Sequence, residues 1–327
     1  MKEVDRRSFL RIAGMSIGIG AMYRVLPAAA ITGPASEVLT ALGQKSGEKV
    51  TPFTFIQMSD THVGFSGPPN PLGTKAFEQA VATVNALPQP PDLVLFTGDL
   101  THDSEDKDVH AARMKQFREI ASHLKAGKLV FVPGEHDAGL DGGALFRDNF
   151  GETHYSFDHR GVHFVGLDNV SRAKPEVGKE QLAWLEQDLA RFNKSTPIVV
   201  FTHRPLFDLK PEWEWFTSDG DEVTNILNRY DNVTVLYGHI HRDHEHEDGH
   251  THHYAARSLI FGFPDPETTG VKKPFPFDKE RPFDHLGIRS LDEKPGTPGL
   301  QKHEIELTMR EFSGLNGIHQ MLKPLDL

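Results

Sequence analysis

This 327-residue chain contains no cysteine. Thiol nucleophiles and disulfide staples are thereby excluded, and stability has to come from a core, for which the length is sufficient. Outside the N-terminal segment no Gly-x-Ser-x-Gly elbow occurs, so a serine hydrolase of that kind is excluded too. Positive charge is in deficit: 35 Lys and Arg stand against 46 Asp and Glu, a formal net charge of −11. Duplex nucleic acid and anionic lipid are bound through basic patches that release counterions, so neither is expected as the main partner. Long apolar runs are also lacking, and no internal repeat is visible. The apolar stretch at residues 12–22 is shorter than the roughly 20 residues that span a bilayer, so no stable membrane anchor is expected.

That stretch follows Asp5-Arg6-Arg7-Ser8-Phe9-Leu10-Arg11 and precedes Pro27-Ala28-Ala29-Ala30. The series looks like a twin-arginine export signal over residues 1–30, cleaved after Ala30. Its removal takes away five basic and two acidic residues and moves the net charge from −11 to −14. A periplasmic or secreted protein handled by the twin-arginine translocation machinery is expected. Residues 31–49 read as a linker.

Beyond the linker, short apolar runs alternate with helical periods, the mark of βαβ layering. Helices are expected over residues 74–87, 109–124 and 180–192. Residues 153–157 and 162–167 read as a β-hairpin turning at Arg160-Gly161. From residue 263 the texture changes, with seven prolines between Pro264 and Pro298. This Pro-rich extension, residues 263–327, reads as a wrap over a sheet edge rather than a second domain. Within it residues 303–309 alternate as a last strand, and residues 315–322 form a mixed tail.

What the chain does have is metal-binding side chains in the order Asp60-x-His62, Gly98-Asp99, Gly134-Glu135-His136-Asp137, His203 and Gly238-His239-x-His241. Each cluster directly follows an apolar run, so carboxylates and imidazoles gather at one edge of a sheet. The arrangement resembles the calcineurin-like metallophosphoesterases, whose pattern is D-x-H, G-D, G-N-H-[DE], H and G-H-x-H, over about residues 50–262. The resemblance implies an α/β fold, a two-sheet β-sandwich flanked by helices. It also implies that Asp60, His62 and His241 hold one metal, that Asp99 bridges, and that Glu135, His203 and His239 take the second. His136 falls on the family's catalytic imidazole.

Two ions roughly 3.5–4 Å apart hold phosphoryl oxygens, bring the pKa of a bridging hydroxide's parent water towards about 7 and neutralise the transition state. A small phosphate-ester substrate, monoester or diester, is the expected ligand, with His136 protonating the departing alkoxide. Imidazole and carboxylate suit two divalent or trivalent ions, Fe, Mn or Zn, with copper also admitted. One position departs: Glu135 stands where the family has Asn. A third carboxylate either lowers the metals' electrophilicity or tightens the second site for a harder ion. The rival reading is a weakly active or non-hydrolytic copper- or zinc-binding protein on the same scaffold.

Neighbouring residues carry further expectations. Asp103 or His102 would orient His136, or His102 would meet the phosphate. Arg204 offers a guanidinium clamp for phosphate. Asp137 caps the turn after Glu135 rather than binding metal. Trp213 and Trp215 either stack on a substrate's leaving group or anchor packing. His244, His246, His250, His252 and His253 form a dense histidine segment, read as a metal-gathering loop or a solvated one.

Overall fold

The computed structural model describes residues 50–293 and 300–307. The expected export signal, the expected linker, the expected 315–322 tail and the end of the expected last strand lie outside these residues.

Among the described residues eleven strands make two sheets. The first has the order β11-β10-β1-β2-β3 and the second β4-β5-β6-β7-β9-β8. Strands β1 (Phe53–Met58), β2 (Leu93–Thr97) and β3 (Lys128–Val132) are parallel. So are β5 (Val162–Gly166), β6 (Ile198–Phe201) and β7 (Val233–Tyr237). The residues dictate the layering through their period of two. In β1, Phe53 and Phe55 enter the core between the sheets with Leu93, Leu95, Phe164, Phe201 and Leu236. Ile56 and Met58 point the other way, joining Phe77, Phe96, Phe117 and Phe146 beneath helices α1 (Lys75–Asn85), α2 (Lys107–Ala121) and α4 (Ala144–Phe150). On the second sheet, Val200, Val233 and Val235 pack on Leu185, Leu189, Val223 and Leu227 of α5 (Lys179–Leu189) and α6 (Gly220–Leu227). Helix, sheet, sheet and helix are thus stacked, the expected two-sheet sandwich. Helix α3 is the short Glu135–Ala138 turn.

The hairpin of β4 (Tyr155–His159) and β5 turns where expected, with Arg160 and Gly161 both at positive φ as a two-residue turn of primed type requires. In the Pro-rich segment the expected last strand is present, starting two residues earlier, while the strand before it was not expected. Gly287–Glu293 forms β10 and pairs antiparallel with β1, and β11 (Gln301–Glu306) pairs with β10. The sheet therefore continues past residue 262, and the segment closes the edge of β1 by becoming strands rather than by draping over it. The histidine segment is not a loop either. It folds as β8 (His244–Asp248) and β9 (Thr251–Ala255), turning at Gly249-His250. Among the described residues no helix is long and apolar enough to cross a membrane.

Candidate metal centre

All five parallel strands that lead to a ligand cluster end at one rim. β1 delivers Asp60 and His62, β2 Asp99, β3 Glu135, β6 His203 and β7 His239 and His241. The chain turns sharply there. Asp60, His62, Asp99, His239 and His241 all hold positive φ, between 42° and 66°. Non-glycine residues enter this left-handed region at a cost of order 1–3 kcal/mol each, and such positions cluster at functional sites. Two motif glycines serve close approach: at Gly98, itself at φ 90°, a Cβ would collide with the His203 ring, and at Gly134 with the Asp99 carboxylate.

The structure brings the seven expected ligands into two groups that share Asp99. Asp60, His62, Asp99 and His241 form one, and Asp99, Glu135, His203 and His239 the other; within each, one ligand atom per residue lies within 4.8 Å of the rest. Asp99 Oδ2 stands 3.3 Å from His62 Nε2 and 3.4 Å from His203 Nε2, between the two groups. His241 Nε2 lies 3.3 Å from both Asp60 Oδ1 and His62 Nε2. Glu135 reaches His203 Nε2 and His239 Nδ1, each at 2.9 Å.

The outward nitrogens are held by main-chain oxygens. His203 Nδ1 meets Thr97 O at 2.7 Å, His241 Nδ1 meets Phe261 O at 2.9 Å, and His239 Nε2 meets Glu214 O at 3.1 Å. Donating to a carbonyl fixes the tautomer and turns the opposite lone pair inward. The donor set fits two cations: buried carboxylate oxygens and imidazole nitrogens crowd together with Glu135 Oε2 and His203 Nε2 turned to one another, and the ring nitrogens of His62 and His241 face each other at 3.3 Å. Charge tells the same story. Burial resists it, yet His239 and His203 hold the Glu135 carboxyl well below its usual range, while Asp99 and Glu135 hold His203 well above its own. His62 and His239 are pushed down by burial towards the neutral, metal-binding form.

Beside the first group stands His136, its ring 4.8 Å from that of His62. Its Nδ1 is 2.5 Å from Asp103 Oδ1. Burial lowers its proton affinity, but Asp99 and the Asp103 hydrogen bond prevail and raise its pKa to about 10. Asp103 is lowered in turn to about 2 by that hydrogen bond. His102 does not share this bond. It stacks on His136 at 4.9 Å and turns Nδ1 towards His62 Nδ1, 3.4 Å away. Asp137 caps: its carboxylate accepts from the amides of Leu100, Thr101 and Gly134 and is absent from both ligand groups. Arg204, 8% exposed, pairs with Glu135 at 3.4 Å and donates to Glu214 O at 2.8 Å. Trp213 and Trp215 are buried against Tyr237, Ile240 and Ala255, so they anchor packing.

Sequence reasoning missed the carbonyls of Thr97, Glu214 and Phe261, which no residue type announces. It also missed Ser59, whose hydroxyl bonds Asp60, and Lys272, whose Nζ donates to Trp213 O at 2.7 Å. The apolar run ahead of Ser59 gave a weak signal for the first; a proline-rich surround hid the second.

Comparison with known proteins extends these observations. The family model described as calcineurin-like phosphoesterase matches residues 53–243. The chain is 28% identical over 201 residues to a probable glycerophosphodiester phosphodiesterase, GpdQ, of Arcobacter nitrofigilis, covering 57% of this chain and 71% of that protein. It is 29% identical over 231 residues to the serine/threonine-protein phosphatase CPPED1 of Mus musculus, covering 61% and 73%. A crystal structure of a dimetal phosphatase from Danio rerio superposes with a TM-score of 0.51 at 14% identity, covering 78% of this chain and 99% of that one.

Proposed function

The chain belongs to the calcineurin-like phosphoesterases, and from that premise we propose that it hydrolyses small phosphate monoesters or diesters at a binuclear metal site. The observation that carries the reading is the pair of four-ligand groups joined at Asp99, with His136 and Asp103 alongside. Asp60, His62, Asp99 and His241 would hold one ion, and Asp99, Glu135, His203 and His239 the other. When bound, such ions supply Lewis acidity to the phosphoryl group and make water nucleophilic near neutral pH.

The remaining work falls to the chain. His136, held through Nδ1 by Asp103, is the group placed to donate a proton to the departing ester oxygen. Asp103 holds Nδ1 and steadies the imidazolium. Arg204 offsets the third carboxylate: its guanidinium lies against Glu135, so the pair carries little net charge where the family pattern has a neutral amide. Two divalent or trivalent ions, Fe, Mn or Zn, suit these donors, copper being the variant admitted. The Arg6-Arg7 segment supports export in folded form and a periplasmic or secreted location.

The test is hydrolysis of 4-nitrophenyl phosphate and bis(4-nitrophenyl) phosphate by purified protein of known metal content. Turnover that tracks metal loading and vanishes in Asp99→Ala supports the reading. Two tightly held ions with no turnover of either ester would refute it in favour of a non-hydrolytic metal-binding protein.

A further inference from the structure

Lys272 lies beyond the span matched by the family model, yet it reaches the rim of the metal centre. Its Nζ donates to Trp213 O at 2.7 Å, and Arg204 Nη1 donates to the next carbonyl, Glu214 O, at 2.8 Å. An ammonium and a guanidinium are therefore tethered to adjacent peptide units of one turn. That turn is the short 3-10 segment Pro211–Trp213, closed by Glu214 at φ 63°, and the same Glu214 carbonyl meets His239 Nε2. The two cations differ in their partners. Arg204 is buried and paired with Glu135, whereas Lys272 remains open to solvent and makes no ion pair among the described residues. Partial desolvation of Nζ where it meets the Trp213 carbonyl, although the rest of the side chain is exposed, lowers the ammonium's pKa together with Arg204, against the pull of Glu135, Glu214 and Asp99, which places those carboxylates within its field.

Glu135 and Arg204 cancel, so Lys272 adds one net positive charge at the mouth of the site. A phosphodiester brings a single negative charge. A phosphomonoester near neutral pH brings close to two, because its second ionisation lies near pH 6. We propose that Lys272 is a specificity-determining residue that receives the second negative charge of a dianionic phosphomonoester. The inference rests on the phosphoesterase reading for its substrate class. The donor geometry suits it: the ammonium makes one hydrogen bond, to Trp213 O, and sits 6.0 Å over the Phe263 ring, while Arg204 Nε is buried without a hydrogen-bond partner.

Lys272→Met and Lys272→Arg, each checked for metal content, test this with two readouts. In the Met variant the ratio of kcat/KM for 4-nitrophenyl phosphate over bis(4-nitrophenyl) phosphate is expected to fall about 10- to 100-fold, the size of one charge-assisted hydrogen bond. The Arg variant restores most of that ratio. Inorganic phosphate, titrated calorimetrically into the metal-loaded protein, is expected to bind more weakly to the Met variant by a similar factor. An unchanged ratio, an equal fall for both esters, or loss of metal from the Met variant overturns the proposal. If the native protein hydrolyses neither ester, the phosphoesterase reading fails by itself and the phosphate titration decides the role of Lys272: equal affinity in both proteins overturns it.

Discussion

Two groups of histidines sit within fifteen residues of each other at the end of β7, and they behave oppositely. His239 and His241 are turned inward by left-handed backbone, have their outer nitrogens against carbonyl oxygens, and meet carboxylates across the rim. His244, His246 and His253 share one face of the β8-β9 hairpin and gather around Phe207, which stacks on His246 at 3.9 Å. Both ring nitrogens of His253 are buried without a partner, and no hairpin histidine enters any group of ligands close enough to share an ion among the described residues. Density of a residue type does not make a metal site. Carboxylates opposite the imidazoles and carbonyls behind them do.

The contrast can be tested from its strongest side downward. Asp99→Ala removes the carboxylate common to both ligand groups, so hydrolysis should fall by at least about 10³-fold and elemental analysis should find both ions lost. His136→Gln should leave metal content intact and lower kcat by about 10²–10⁴-fold for alkyl leaving groups, with a smaller fall for 4-nitrophenolate, which departs without a proton. Asp103→Asn should cost about 10- to 100-fold through the same imidazole. If instead both His136 and Asp103 variants react to leaving groups as the native protein does, neither acts on the departing oxygen.

On the hairpin side the expected effects are on stability. Burial pushes His253 down to about 3. Its folded pKa lies below the unfolded value near 6.5, so between these limits the unfolded chain binds more protons and stability falls as pH falls. Lowering the pH from 7 to 5 should draw roughly 2 kcal/mol from this residue, and urea unfolding of His253→Gln should show that much less acid sensitivity. The smallest effect is expected for His246→Ala and His252→Ala, with metal stoichiometry unchanged and kcat/KM within about twofold. Loss of an ion in either variant would erase the distinction between the two groups.

The ligand order and the strands behind it were readable because both are local: β1 and β6 have the boundaries that their apolar runs suggest, and each ligand follows within a few residues. The hairpin hid because its alternating residues are histidine and glutamate rather than apolar, although Asp248-Gly249 is a turn signal of the usual kind. β10 was hidden by distance, since its partner β1 lies more than two hundred residues earlier and only that pairing makes Gly287–Glu293 a strand. Asp103 could be placed beside His136 because it follows Asp99 by four residues and the segments after the neighbouring strands β2 and β3 meet at one rim. That Asp103 rather than His102 holds the ring is a matter of rotamers, which sequence does not carry.

Asp60 also spans the seam between the sheets, accepting the His239 amide at 3.1 Å. Four ligands ride on the first sheet and three on the second, so cations held here would rivet one half of the sandwich to the other. Chelation should then loosen more than a rim: amide hydrogen exchange ought to quicken in β1 and β7 together.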